Sequence, residues 1–344
     1  MKKKVLVCHI GAGRIGFTLE FDKKRKKPAS HLGMWKYNKN TKLLGVCEKK
    51  EIKNKLIHKI SSGINVYKNY IHMIKKEKPD IVSIATWKDT HFEITNKCID
   101  LGIKVIVLEK PLANNLKQAI FLNKKIKRRK VKVLVNHRRR FDEEIIKLRK
   151  KIKSGVIGDI IQVTSYYVYG ILTTGTHLVD TLRMLLKDTA GEVDSVSGFK
   201  NKLNFYHPKD DENVDGILIF KNNLKATIQS LDIKKYDNFD IHLYGTKGKI
   251  LITGIGRSGF LYKIIKSPEH KGFEELKLTP IKMFGPKPRN QFGLLAKNAV
   301  NCFLNKASKP LCDDAESLID MIVIDALIKS SKQKSRQIKL KTII

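Results

Sequence analysis

The sequence predicts an α/β chain in two parts: a doubly wound parallel sheet over residues 1–140, then an α+β part over 141–344 built on a large, mostly antiparallel open sheet. Three observations carry this reading. Short apolar runs alternate with amphipathic segments up to about residue 140, the pattern of strand–helix–strand units with helices on both faces of a sheet. The first run ends in three spaced glycines, Gly11, Gly13 and Gly16. After about residue 145 the alternation stops, and strand-like runs follow one another with turn signals between them.

In the first part the expected strands are 5–10, 43–47, 81–85, 104–108 and 132–135, with helices such as 70–77 and 91–101 between several of them. The charged stretch 21–40, which holds His31 and Trp35, is expected to be a solvated loop plus the rest of the first helix. In the second part a strand over 160–169 leads to a helix over 175–186. Strands follow at 193–203, 214–220, 226–231, 239–244 and 249–253, with hairpin signals at Asn222-Asn223 and Lys247-Gly248. Helices over 290–305 and 314–330 complete the reading.

The chain has 344 residues, 42% of them hydrophobic, enough for two domains with real cores. No apolar run approaches the roughly 20 residues of a membrane span, and no cleavable leader is evident behind Lys2–Lys4. The expectation is a cytoplasmic protein with no membrane partner. Five cysteines without a C-x-x-C pair read as reduced, mostly buried thiols. The net charge of +36 comes from lysines scattered over the whole length. Without a nucleic-acid-binding motif it predicts no specific nucleic-acid partner. A positive field would still attract anionic substrates.

The glycines carry the first functional signal. Gly11, Gly13 and Gly16 form G-x-G-x-x-G after an apolar run, the opening of a dinucleotide-binding unit. Gly11 permits the tight turn, Gly13 lets backbone approach a pyrophosphate, and Gly16 lets a helix pack on the strand. A helix expected to start there offers free N–H groups to the phosphates, with Arg14 and Ile15 in the turn. Glu48, at the end of the second strand, is placed to bond ribose hydroxyls and repel a 2′-phosphate, which favours NAD over NADP. Lys49 and Lys50 could instead pair with that phosphate.

With Ile84-Ala85-Thr86 and His91, Glu109-Lys110-Pro111, Arg140-Phe141, Gly175-Thr176-His177-Leu178-Val179-Asp180 and Tyr244-Gly245-Thr246-Lys247-Gly248 in that order, the chain resembles the Gfo/Idh/MocA family of NAD(P)-dependent oxidoreductases. The resemblance covers nearly the whole length and implies a Rossmann domain followed by a substrate-binding and oligomerisation domain. It implies an NAD-dependent enzyme acting on a sugar, cyclitol or nucleotide sugar; apolar residues on both alternating sets of the later strands, as at Ile217–Phe220, predict a homodimer or homotetramer packed sheet to sheet, and no metal cluster is expected. The resemblance also implies that Lys110 and His177 are catalytic.

Lys110 could serve as acid or base, or as a fixed donor to the substrate hydroxyl. His177 is implied as proton shuttle or hydroxyl ligand. It shares a helix face with Asp180. Thr86, Trp87, His91 and Glu109 are expected near the cofactor, although His91 could equally cap its helix. Arg139 and Arg140 suit a carboxylate or phosphate, or an ion pair with Asp142 or Glu143. Tyr167, Tyr169, Thr173 and Thr174 could line a polyol pocket. Many relatives carry Asp or Asn where this chain has Thr173, which departs from a Lys–Asp–His relay. The rival reading is a catalytically silent, NAD- or sugar-sensing regulator on the same fold.

Overall fold

The computed structural model describes residues 3–50, 56–58, 63–201, 203, 205–287 and 289–340. The chain divides into two compact units, Met1–Asp142 with Pro288–Ile319, and Glu143–Lys287 with Asp320–Ile344.

The first unit is a parallel six-stranded sheet. Its strands are β1 (Val5–Ile10), β2 (Thr41–Cys47), β3 (Asn65–Tyr67), β4 (Ile81–Ile84), β5 (Val105–Leu108) and β6 (Lys132–Val135). Their order is β3-β2-β1-β4-β5-β6, so the winding reverses between β1 and β4. In open α/β sheets ligands bind beyond the carboxyl ends at that reversal. Every residue of β4 and β5 is buried, because helices cover both faces. Asparagine side chains cap two of these helices. Asn69 caps Tyr70–Glu77, and Asn115 caps Leu116–Arg129.

Two expectations are corrected here. No α-helix opens at the glycine turn. The chain makes only a short 3-10 turn, Thr18–Phe21, and the α-helix begins at His31, running to Tyr37. The helix nevertheless docks on the loop: the His31 N–H donates to Ile15 O (3.1 Å) and the Leu32 N–H to Gly16 O (2.9 Å). Residues 17–30 thus separate the glycine loop from the helix that docks on it. Second, the stretch 21–40 is not all solvated, since His31, Leu32, Met34 and Trp35 are buried. Leu32 joins a core with Ala12, Phe17 and Val46. Glu20 fastens the excursion by accepting from the Ala29 N–H (3.0 Å) and the Ser30 hydroxyl (2.6 Å). Gly33 makes room for this carboxylate, because a Cβ there would lie 2.0 Å from Glu20 Oε2.

The second unit is a ten-stranded sheet of β7 (Ile160–Val168), β8 (Val193–Lys200), β9 (Val214–Phe220), β10 (Lys225–Leu231), β11 (Ile241–Gly245), β12 (Gly248–Thr253), β13 (Ser258–Lys266), β14 (Glu274–Leu276), β15 (Ile281–Phe284) and β16 (Ile338–Lys339). All its pairs are antiparallel except β7 with β10. β9 alternates buried and half-buried residues along its length, as a sheet covered on one face must. Gly198 admits the helix on that face: a Cβ there would lie 2.1 Å from Leu327 O. Arg183 on the helix Thr176–Ala190 is fully buried and paired with Glu192 (2.8 Å) and Asp320 (2.5 Å).

Candidate functional site

On the first unit the predicted residues gather at the carboxyl ends of β1, β2, β4 and β5. Gly11 has φ +95, and a Cβ there would fall 2.7 Å from Ala85 O, so only glycine lets the loop lie on the Thr86 turn. A Cβ at Gly16 would sit 2.1 Å from Gly11 O, so the two glycines pack backbone on backbone. Gly13 differs: nothing lies within 4 Å of its Cβ position, leaving main chain open to a phosphate. Beside it Arg14 is exposed and Ile15 half-buried. Glu48 accepts from the Ala12 N–H (2.9 Å) and the Lys50 N–H (2.9 Å), which holds its carboxylate on the glycine loop. These features fit a dinucleotide: an open main-chain cradle at Gly13, with an acid at the neighbouring strand end.

Behind the loop lies a buried polar cluster that sequence reasoning missed. His9 Nε2 lies 2.9 Å from Gly11 O, and a carbonyl only accepts, so this nitrogen carries the proton. Burial, then the neighbouring His31, push the His9 pKa down to about 3. The His31 ring stacks on His9 at 5.9 Å. His31 Nδ1 meets Ser83 Oγ (2.9 Å), and its Nε2 meets Glu109 Oε1 (2.7 Å). Asn136 Nδ2 donates to the same oxygen (2.5 Å). Burial alone would raise the Glu109 carboxyl; the His31 hydrogen bond and charge, with Asn136, outweigh it and hold Glu109 below its ordinary value. Glu109 therefore anchors the end of β5 immediately before half-buried Lys110, and the Lys110–Pro111 peptide is cis. A Ser cap and an apolar run after Pro28 were the available signals for His31. Its partners, 52 and 78 residues away, were not visible.

His91 is buried with Nδ1 2.7 Å from Pro111 O and Nε2 3.2 Å from Thr86 O, and a neutral ring donates to only one of these carbonyls. Burial lowers its pKa. It ties the Thr86 turn to the segment after Lys110. Trp87 is 85% exposed. Arg140 is buried and bonded to Glu316 (3.0 Å), while Asp142 takes Arg289 (2.6 Å) and Gln291 (2.8 Å). Arg139 is half-buried.

On the second unit β7 ends in Tyr169 and Gly170, at φ 67 and φ 84. A single wide turn, Ile171–Gly175, then runs into the helix Thr176–Ala190. His177 is half-buried one turn before buried Asp180, and the Thr181 hydroxyl turns back onto His177 O (2.6 Å). Tyr169 packs beside Tyr206 at 5.6 Å; burial first, then Tyr206, raise its phenol. Thr173 and Thr174 are half-buried on the wide turn. Tyr167, expected as a pocket residue, is instead fully buried with its hydroxyl on Val214 O (2.8 Å). A residue not anticipated, Asp211, closes the turn. Its carboxylate accepts from the Leu172 N–H (2.7 Å), the Thr173 N–H (2.8 Å) and the Thr173 hydroxyl (2.5 Å).

A doubly wound parallel sheet with an open glycine cradle at the end of β1 defines a dinucleotide-binding unit. Residues 7–137 match the model of the oxidoreductase family's NAD-binding Rossmann fold, and residues 169–251 match the GFO/IDH/MocA C-terminal domain. The chain belongs to the Gfo/Idh/MocA oxidoreductase family, and its first unit is that family's NAD-binding domain. It is 27% identical over 212 residues to the uncharacterized oxidoreductase YhhX of Escherichia coli, covering 57% of this chain and 59% of that one. It is 25% identical over 198 residues to inositol 2-dehydrogenase 3 of Saccharopolyspora erythraea, covering 52% and 56%. The chain thus spans little more than half the length of these curated relatives. The crystal structure of the WlbA dehydrogenase from Bordetella pertussis, in complex with NADH and UDP-GlcNAcA, superposes with a TM-score of 0.74 at 18% identity, covering 98% of this chain and 99% of that one. No helix among the described residues is long and apolar enough to cross a membrane.

Proposed function

We propose that the chain is an NAD-dependent oxidoreductase that moves hydride to or from a hydroxyl-bearing carbon of a sugar, cyclitol or nucleotide sugar. The observation that carries this reading is Lys110: it follows a carboxylate locked by His31 and Asn136, on the same strand-end edge as the open main chain of Gly13. Bound there, the nicotinamide supplies the hydride acceptor or donor. The main chain of Gly13 and Arg14 holds the pyrophosphate, and Glu48 accepts from the ribose hydroxyls and disfavours a 2′-phosphate. Glu109 and His91 fix the backbone on either side of Lys110. Lys110 manages the proton of the reacting hydroxyl as the carbon is oxidised, and His177 is the proton-handling candidate of the second unit. Thr173, Thr174, Tyr169 and Asp180 orient the remaining hydroxyls, and Arg139 suits an anionic group of the substrate.

The test is a panel of free sugars, inositols, sugar acids and nucleotide sugars, followed by NADH absorbance in both directions. Turnover of a polyhydroxylated substrate supports the assignment, and turnover of apolar alcohols alone removes it. Cofactor binding without any turnover favours a sensor. Fluorescence titration of NADH against NADPH tests Glu48. Tighter NADH binding is expected, and Glu48→Ala should narrow the difference. We infer a cytoplasmic homodimer or homotetramer, joined through the open sheet of the second unit. A monomeric mass by light scattering at micromolar protein would contradict the oligomer.

A further inference from the structure

We propose that Arg138, with Arg25, forms a subsite on the first unit for an anionic group of the substrate, a carboxylate or a phosphate, so that the enzyme selects charged over neutral sugars. The inference rests on the reading of the chain as a sugar oxidoreductase and names its substrate class. Three arginines stand in a row in the 3-10 turn Arg138–Phe141 that follows β6. They are not equivalent. Arg140 is buried and bonded to Glu316 (3.0 Å). Arg138 is half-buried, and among the described residues no hydrogen bond or ion pair engages its guanidinium. The acids around it are answered by other donors. Glu109 accepts from His31 (2.7 Å) and Asn136 (2.5 Å), and Asp142 from Arg289 (2.6 Å) and Gln291 (2.8 Å). A guanidinium keeps its charge and offers five donors in a fixed fork. Withdrawing such a group from water without a partner is costly, and a ligand that supplies the partner recovers that cost.

Arg25 brings a second cation to the same place. It lies in the segment between the glycine loop and the helix His31–Tyr37, and its Nε donates to Asp22 Oδ2 (3.2 Å). The Lys27 ammonium donates to Asp22 O (2.8 Å), so this turn has a set shape. Burial lowers the Arg138 pKa; Glu109 and Asp142 oppose that shift, and Arg25 adds to it, which puts the second guanidinium within charge range. The two guanidinium groups repel each other. An anion between them ends that repulsion and accepts from both, and Arg138 can meet it bidentately. Glu109 immediately precedes Lys110, so the subsite belongs to the strand-end edge that carries the proposed chemistry. The cofactor's own phosphates have a different seat. The open main chain of Gly13 follows β1, and β6 lies three strands away in the order β1-β4-β5-β6, about 14 Å at the usual strand spacing of ~4.8 Å. The scattered lysines attract anions from every side but fix none in position.

Calorimetry on NAD-loaded, full-length protein tests the subsite with glucose, glucuronate, glucose 1-phosphate and inorganic phosphate. The wild-type protein should bind the two charged sugars roughly tenfold or more tightly than glucose, the scale of a charge-assisted hydrogen bond. The tighter of the two identifies the group that the subsite takes. Arg138→Met should abolish both this preference and the binding of inorganic phosphate, and Arg25→Gln should weaken both severalfold. Arg138→Lys, which keeps the charge and loses the fork, should fall between wild type and Arg138→Met. Lys26→Gln, at an exposed lysine of the same segment, should change neither. Equal affinity for glucose and the charged sugars, a preference that survives Arg138→Met, or an equal loss in Lys26→Gln would refute the subsite. A large loss of NADH binding in Arg138→Met would also overturn it, by giving the arginine to the cofactor. The two readings fail separately. Phosphate bound through Arg138 with no sugar bound removes the sugar assignment and keeps the anion subsite; neutral sugars turned over as well as charged ones do the reverse.

Discussion

Two buried carboxylates, Glu109 just before Lys110 on the first unit and Asp211 against the turn that leads to the His177 helix on the second, are held in opposite ways. Glu109 is gripped by side chains from afar, His31 and Asn136, themselves anchored on other strands. Asp211 is gripped by the main chain of one local turn. A network of side chains fails when any distant member is replaced. A main-chain cradle fails only when the acid or the turn itself changes. Asp314 gives the third case. It is buried with Asn123 as a donor at 2.7 Å, and its carboxyl is raised to about 6, chiefly by burial and by neighbouring Asp313. Burial alone raises an acid; converging donors, with His31, reverse the sign at Glu109.

The largest effect expected is on stability. Glu109→Ala should destabilise the fold by about 3 kcal/mol in urea unfolding, the scale of breaking a buried pair from one side. His31→Ala should cost nearly as much, and the double variant far less than the sum. Additive costs would show that the two side chains do not form one unit.

Turnover comes next. Lys110→Met should lower it by roughly a hundredfold with cofactor binding kept, the scale of a positioned proton-transfer group. His177→Ala should do likewise on the other unit. A loss on one side only would remove the other residue from the chemistry.

The pH dependence separates the clusters further. Burial is the main cause that lowers the pKa of both His9 and His91. Their depressed values contribute stability that is complete above the unfolded histidine pKa and is lost as pH falls. For His9 this should amount to about 2 kcal/mol between pH 7 and pH 5 in denaturant unfolding. His9→Gln, which keeps a donor for Gly11 O, should flatten that slope.

The smallest effect is a gain. The raised Asp314 carboxyl favours the fold only while protonated, below the unfolded value, and that benefit disappears as pH rises through about 6. Asp314→Asn keeps an acceptor for Asn123 and should stabilise by about 1 kcal/mol at pH 7.5, with no gain near pH 4. A loss at pH 7.5 would show that the charge is wanted there, at the start of the helix Asp314–Lys332.

Local pattern alone specified the class of this protein. Apolar runs at strand length, glycines where a Cβ would strike Ala85 O or Gly11 O, and the Glu109-Lys110-Pro111 and Gly175–Asp180 motifs are all short-range signals that each residue type enforces by its own shape. Those signals located Lys110, His177 and Glu48. What local pattern could not supply was which distant groups meet. His31 lies in a lysine-rich stretch that reads as a solvated loop plus part of the first helix, yet the helix that begins there buries it against Ser83 and Glu109. Asp211 sits in a polar run between two expected strands, yet it reaches 38 residues back to Thr173. A buried charge persists only where donors converge on it. That convergence is set by how strands and turns come together in three dimensions, so only the tertiary structure decided which acids are held at the end of β5 and on the turn before the His177 helix.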